Sequence, residues 1–152
     1  MTTLLKSDVL DGLADALQTV DGLRVEAGAE LQEGRAQLPL AQIYWLRSET
    51  AVESEIERNT FGPTPVRQIE WVMRIDVRAR EGKFFGQAYG TMLALEDAIE
   101  DALEAGASAD PPFGQEGLRG VRWTSEYVTW IGEGTTEPSY VGSRFEIVCR
   151  IY

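Results

Sequence analysis

The fold turns on residues 68–106, "QIEWVMRIDVRAREGKFFGQAYGTMLALEDAIEDALEAG", where one apolar period gives way to another. From Gln68 to Arg80 the pattern has period two. Ile69, Trp71, Met73, Ile75, Val77 and Ala79 alternate with Glu70, Arg74, Asp76, Arg78 and Arg80, and Val72 is the exception. Such alternation puts one set of side chains on a buried sheet face and the other on a wet face. Past Gly82 the period lengthens. Phe85, Tyr89, Met92, Leu95 or Ile99, Ala102 and Leu103 recur every three to four residues, which predicts a helix over 84–106 with one buried side. Opposite that seam stand Glu96, Asp97, Glu100, Asp101 and Glu104, which read either as solvated surface or as a face turned toward a polyanion that must not stick.

On the N-terminal side, Val9, Leu13, Leu17 and Val20 form one stripe and predict a helix from about Ser7 to Val20. Ser7 or Asp8 can cap its start, and Asp21 with Gly22 supplies the exit. Leu23 to Ala27 is a short strand candidate, Gly28 and Gly34 mark a loop, and "LAQIYWLRS" reads as a second strand. Residues 48–66 mix charge, small polar residues and the Pro63 and Pro65 pair, so they read as a long connection or arm.

On the C-terminal side, "GASADPPFGQEG" is rich in breakers. Residues 118–131 and 140–152 then alternate as two strands turned by "GEGTTEPS". In the last strand Val141, Phe145, Ile147, Cys149 and Ile151 point inward, and Arg144, Glu146, Arg150 and Tyr152 outward. The order predicts an α+β fold: a mostly antiparallel sheet covered on one face by two helices, with residues 1–152 as a single domain.

Composition narrows the function. There are 25 Asp and Glu against 14 Lys and Arg, and the formal net charge is -11. That balance argues against sequence-independent nucleic-acid binding, which needs a basic footprint to displace counterions. The chain has no histidine, so the commonest general base, metal ligand and pH switch are missing. A single cysteine, Cys149, excludes an internal disulfide and fits a reduced, cytoplasmic setting. No apolar run approaches the ~20 residues that span a bilayer, and the N-terminus lacks a signal-peptide core, so a soluble, unprocessed protein is expected.

Local patterns give no catalytic, cofactor or metal site. Gly82, Gly86 and Gly90 fit neither phosphate-loop motif, and Glu96 with Glu100 lack the spacing of a calcium loop. Cys149 falls in phase with Phe145 and Ile147 and reads as a small core residue. Trp123, Tyr127 and Trp130 could stack on nucleic-acid bases, but such platforms sit in basic grooves, so core or subunit contact is favoured. An enzyme is the least supported reading.

Taken together, the helix from Val9 to Val20, "QIYWLR", "IEWVMRIDVRAR" running into "FFGQAYGTMLALEDAIEDAL", and the closing "SRFEIVCRIY" resemble the tail terminator or tail completion proteins of long-tailed bacteriophages. The likeness covers most of the chain in order, size and texture, and rests on no short motif. It implies a hexameric ring, without cofactor or membrane association. The ring caps the tail tube, meets the head connector and lets DNA pass without specific binding. It implies assembly in the host cytoplasm and a place at the head-proximal end of the virion tail.

On that footing Arg74, Arg78 and Arg80 are expected to meet acids of a neighbouring subunit, with the arm bearing Phe61, Pro63 and Pro65 reaching across the joint. Glu70, Asp76, Glu126 and Glu146 are lumen candidates, preferred over the helical carboxylates, and repel DNA over about a Debye length, roughly 8 Å. Two alternatives remain open. One is a head completion or neck connector protein, also ring-forming. The other is a monomeric ligand-binding or inhibitor module, whose sign is a deep apolar pocket near Trp45, Trp71 and Trp123.

Overall fold

The switch of period at the centre of the chain is realised as a long strand feeding a long helix. The computed structural model describes residues 4–27, 38–52, 67–81, 85–131 and 138–151. Its elements are α1 (Lys6–Leu17), β1 (Arg24–Ala27), β2 (Leu40–Val52), β3 (Arg67–Glu81), α2 (Phe85–Ser108), β4 (Leu118–Ile131) and β5 (Pro138–Ile151), with a 3-10 turn at Pro112–Gly114. They make an α+β fold with one sheet, ordered β1-β2-β3-β5-β4. β1 is parallel to β2 and every other pairing is antiparallel.

Register explains the core. Ile43 lies opposite Ile75, which lies opposite Phe145, and Met73 lies opposite Ile147. The period-two residues of three strands therefore form one apolar band. Leu13 and Leu17 of α1 and Ile99 and Leu103 of α2 complete it, all fully buried. Each such side chain contributes roughly 1.5–3 kcal/mol on leaving water. α2 carries the chain across β5, so β3 and β4 run parallel on either side of it.

Three features differ from the sequence expectation. α1 ends at Leu17 and not at Val20, and Gly22 takes the left-handed exit at φ 77°. β2 continues through Ser48 to Val52, paired with β3 as far as Arg67, so residues 48–52 belong to a strand and not to the arm. A bulge between Trp45 and Arg47 explains why this was hard to read. One inserted residue resets the alternation, and the second half of the strand no longer continues the pattern of the first.

The third difference is Phe113. Within the breaker-rich stretch it adopts φ 53°, yet its side chain is buried in the core. It sits against Gly12, where an added Cβ would lie 3.1 Å from the Phe113 carbonyl oxygen, and against Gly106, where a Cβ would run into its ring. Phe113 thus plugs the space between the two helices. The remainder of the arm, 53–66 with Phe61, Pro63 and Pro65, lies outside the described residues, as do Gly28, Gly34, Gly82, the turn 132–137, Tyr152 and the side chains of Arg80, Phe85 and Tyr89.

Candidate functional site

Both helices pack on one side of the sheet, and the other side carries the even-numbered residues of β3. There the strands are tied by polar side chains. Asp76, 4% exposed, accepts hydrogen bonds from the Tyr44 hydroxyl and from Arg144 Nε, the latter at 2.7 Å. Arg78 donates through a terminal guanidinium nitrogen to Gln42 Oε1 at 2.6 Å and lies 4.6 Å from the Trp130 ring centroid. Arg47 bonds Glu49 at 2.7 Å and Glu146 at 3.1 Å, and Arg122 bonds Glu70 at 2.9 Å. Each link except that to Glu49 joins different strands, so the face is a lattice laid across the ladder.

Burial and pairing leave their mark on acidity. The Tyr44 hydroxyl is pushed above its ordinary value, first by burial and then by its bond to Asp76. Arg144 is raised, chiefly by the hydrogen bond to Asp76, and burial lowers Arg78. Nε of Arg74 and of Arg78 are buried with no hydrogen-bond partner among the described residues. Val72, the exception in the alternation, points to this side and is 1% exposed. With Val148 it helps line a cavity of about 290 Å³ walled by Arg47, Arg122, Glu70 and Glu146.

The residues singled out from the sequence therefore share one surface. Arg74, Arg78, Glu70, Asp76, Glu126 and Glu146 all lie on the open face, where Asp76 stands opposite Arg144 and Arg144 opposite Glu126. Glu70, Asp76 and Glu146 are bonded to arginines of their own chain. Sequence reasoning missed Tyr44, Gln42, Arg47 and Arg122 as partners. The signal available was the period-two phase of β2 and β4 once aligned with β3; the bulge in β2 hid it for Arg47, while Gln42, Tyr44 and Arg122 become partners only through register.

The acidic stripe of α2 divides. Glu96 accepts a hydrogen bond from Ser143 Oγ at 3.0 Å and Glu100 from Ser125 Oγ at 3.2 Å, so these two face the sheet. At 3.6 residues per turn Glu96 falls on the same side as Met92, Ile99 and Leu103. Asp97, Asp101 and Glu104 remain exposed.

The aromatic residues do not gather. Trp123 packs toward the core while Trp130 belongs to the open face, so no single platform forms. The ammonium of Lys6 at the start of α1 lies 4.8 Å from the Trp45 ring centroid and 5.5 Å from that of Trp71. The larger cavity, about 1090 Å³, lies elsewhere, between the end of α1, Pro39 and the flank of α2 at Leu95, Ala98 and Ala102.

Among the described residues no cluster of three or more His, Cys, Asp or Glu is placed to hold a metal, and no helix is long and apolar enough to cross a membrane. No protein-family model matches the chain, and no curated protein matches it.

Proposed function

We propose that the chain is a ring-forming structural protein of the tail terminator or tail completion kind, a hexamer that caps a tail tube, joins it to a head connector and lets DNA through. The observation that carries this reading is the sheet face that no described helix covers, largely polar around Val72 and Val148 and bonded to itself. Guanidinium groups already held by carboxylates of their own chain offer little to a passing phosphate, and the carboxylates are matched in turn. A wall of that kind can border a polyanion without gripping it. The helices on the far face supply the rigidity a collar needs and require no bond-making residues.

Negative-stain images and light scattering at low and high salt test the proposal. Rings with a central hole at least as wide as duplex DNA are expected. Monomers at high concentration in both salts overturn it. Ring order separates a terminator from a neck connector. The cavity beside α2 favours a second reading, a monomeric ligand-binding module, because Met92, Leu95, Ala98 and Ala102 give it an apolar wall. A stable monomer whose cavity takes up an apolar dye supports that alternative.

A further inference from the structure

We propose that the apolar trough beside α2 docks an amphipathic helix of another protein, apolar on one side and flanked by lysine or arginine. The trough is the cavity of about 1090 Å³. It lies on the helix side of the sheet, away from the face that carries the ring reading, so helix docking and ring closure are separable.

Its shape follows from the packing of the two helices. Phe113, seated against Gly12 and Gly106, holds α1 and α2 together. The trough begins beside that plug at Ala105, follows α2 back to Ala94, and is bounded on the other side by the exit of α1 at Thr19, Val20 and Asp21. Val20, Ala79 and Met92 are buried at its base. Thr19, Asp21, Ala94, Asp101 and Ala105 are exposed along its length. A site whose walls meet solvent from end to end suits a segment of chain better than an enclosed small molecule.

Length and side-chain size select a helix. Between Ala94 and Ala105, α2 offers about 17 Å, three turns of a partner. Ala94, Ala98, Ala102 and Ala105 recur on that wall at helical spacing, so no long side chain at these positions holds a second helix away. An apolar stripe of the same period then meets Val20, Met92 and Leu95, the mode in which a groove takes up a helix.

Charge selects the flanks. Asp21 and Asp101 bring a carboxylate to each wall, and no lysine or arginine among the described residues lines the trough. Around it α2 adds exposed Asp97 and Glu104 and has no basic residue from Phe85 to Ser108, while α1 adds exposed Asp11 and Asp15. A segment bearing lysine or arginine is therefore attracted along both sides. A helix from a second copy of this chain is the wrong occupant. The two described helices carry the same carboxylates with Lys6 alone against them, and like charges would face one another.

The experiment titrates the full chain at low salt with a peptide of leucine, alanine and lysine patterned as an amphipathic helix, about 18 residues long so that it can hold helical structure. A scrambled peptide of the same composition and charge is the control. The patterned peptide is expected to bind about tenfold more tightly than the scrambled one or better, and to gain helicity on binding. Ala94→Trp sets a bulky ring into the trough from an exposed position and is expected to abolish binding while leaving the melting temperature unchanged. Asp21→Lys with Asp101→Lys, also at exposed positions, is expected to weaken binding by about tenfold or more.

Equal binding of the two peptides means that charge alone attracts them and overturns the proposal. So does binding that survives both Ala94→Trp and the charge reversal, or no binding at all. Uptake of an apolar dye without uptake of the patterned peptide assigns the cavity to a small ligand and overturns it too. Light scattering on the peptide-free chain reads ring formation separately, so a failed titration leaves the ring proposal standing.

Discussion

The helix layer and the open sheet face are both rich in charge, and they handle it in opposite ways. α2 carries five carboxylates and no lysine or arginine, and α1 sets Asp8, Asp11 and Asp15 against Lys6 alone. The open face sets Arg47, Arg74, Arg78, Arg122, Arg144 and Arg150 among Glu49, Glu70, Asp76, Glu126 and Glu146. Much of the surplus negative charge therefore sits on the helices, and the sheet face is close to balance. One surface repels and the other is locked. For the proposed ring, either device would let DNA pass, and the sheet face carries compensation.

The largest effect that separates the two layers comes from their glycines. A Cβ at Gly142 of β5 would fall on the carbonyl oxygen of Val77, main chain that can yield only by opening the β3–β5 ladder. Gly142→Ala is expected to cost more than ~4 kcal/mol and to leave little folded protein. At Gly106 of α2 the obstacle is the Phe113 ring, a side chain that can shift, and Gly106→Ala is expected to cost about 1–3 kcal/mol. Urea midpoints decide between them. Equal costs would mean the helix layer is as unyielding as the ladder.

Next come the carboxylates. Asp76→Ala strips Arg144 and Tyr44 of a shared buried partner, and about 3–5 kcal/mol is the expected loss. Asp101→Ala on exposed α2 is expected to change stability by no more than ~0.5 kcal/mol, in the stabilising direction, because it relieves like-charge contact with Asp97 one turn away. If both substitutions behaved alike, the distinction between a locked and a repelling surface would collapse.

These contrasts also show what could be read without coordinates. The strand at 68–80, the helix after it and the final hairpin were legible, because each repeats one period long enough for the apolar positions to declare a face. The second half of β2 was not, since a one-residue bulge erases the period locally and only pairing with β3 restores it. Phe113 was hidden among breakers, its burial decided by two glycines about a hundred residues apart, Gly12 and Gly106. The open-face residues of β3 and β5 were visible as a set, but their partners Tyr44 and Gln42 come from β2, more than thirty residues away. Pairing across strands is a property of register, which composition does not encode.

A smaller effect concerns the boundary between the layers, where Cys149 is fully buried beneath the helices. Burial raises its thiol from 9.0 to about 12. Because the folded value lies above the unfolded one, the stability it confers is complete below pH 9 and lost as the pH climbs toward 12. At pH 11 the loss amounts to about 2–3 kcal/mol. Comparing wild type with Cys149→Ala in urea at pH 8 and pH 11 isolates it, since alanine cannot ionise. The variant is expected to gain on the wild type as the pH rises, and an unchanging gap would mean the thiol is not shielded by the helix layer.

The finest distinction is electrostatic, and it asks which layer DNA would meet in the proposed ring. Glu70→Gln together with Glu146→Gln frees Arg122 and leaves Arg47 held by Glu49 alone, while keeping the shape of both side chains. Each arginine made available to a phosphate adds about 0.9 to the slope of log affinity against log salt. Wild-type protein is expected to retain no DNA at low salt, and the double variant is expected to retain linear duplex, which can enter a ring, more than closed circular duplex, which cannot. The matching change on the helices, Asp97→Asn with Asp101→Asn, frees no arginine and is expected to retain neither. Equal retention of linear and circular DNA by the sheet variant would place the unlocked arginines on an outer wall. Compensation would then serve the stability of the fold, and the acidic helices would become the surface turned toward the channel.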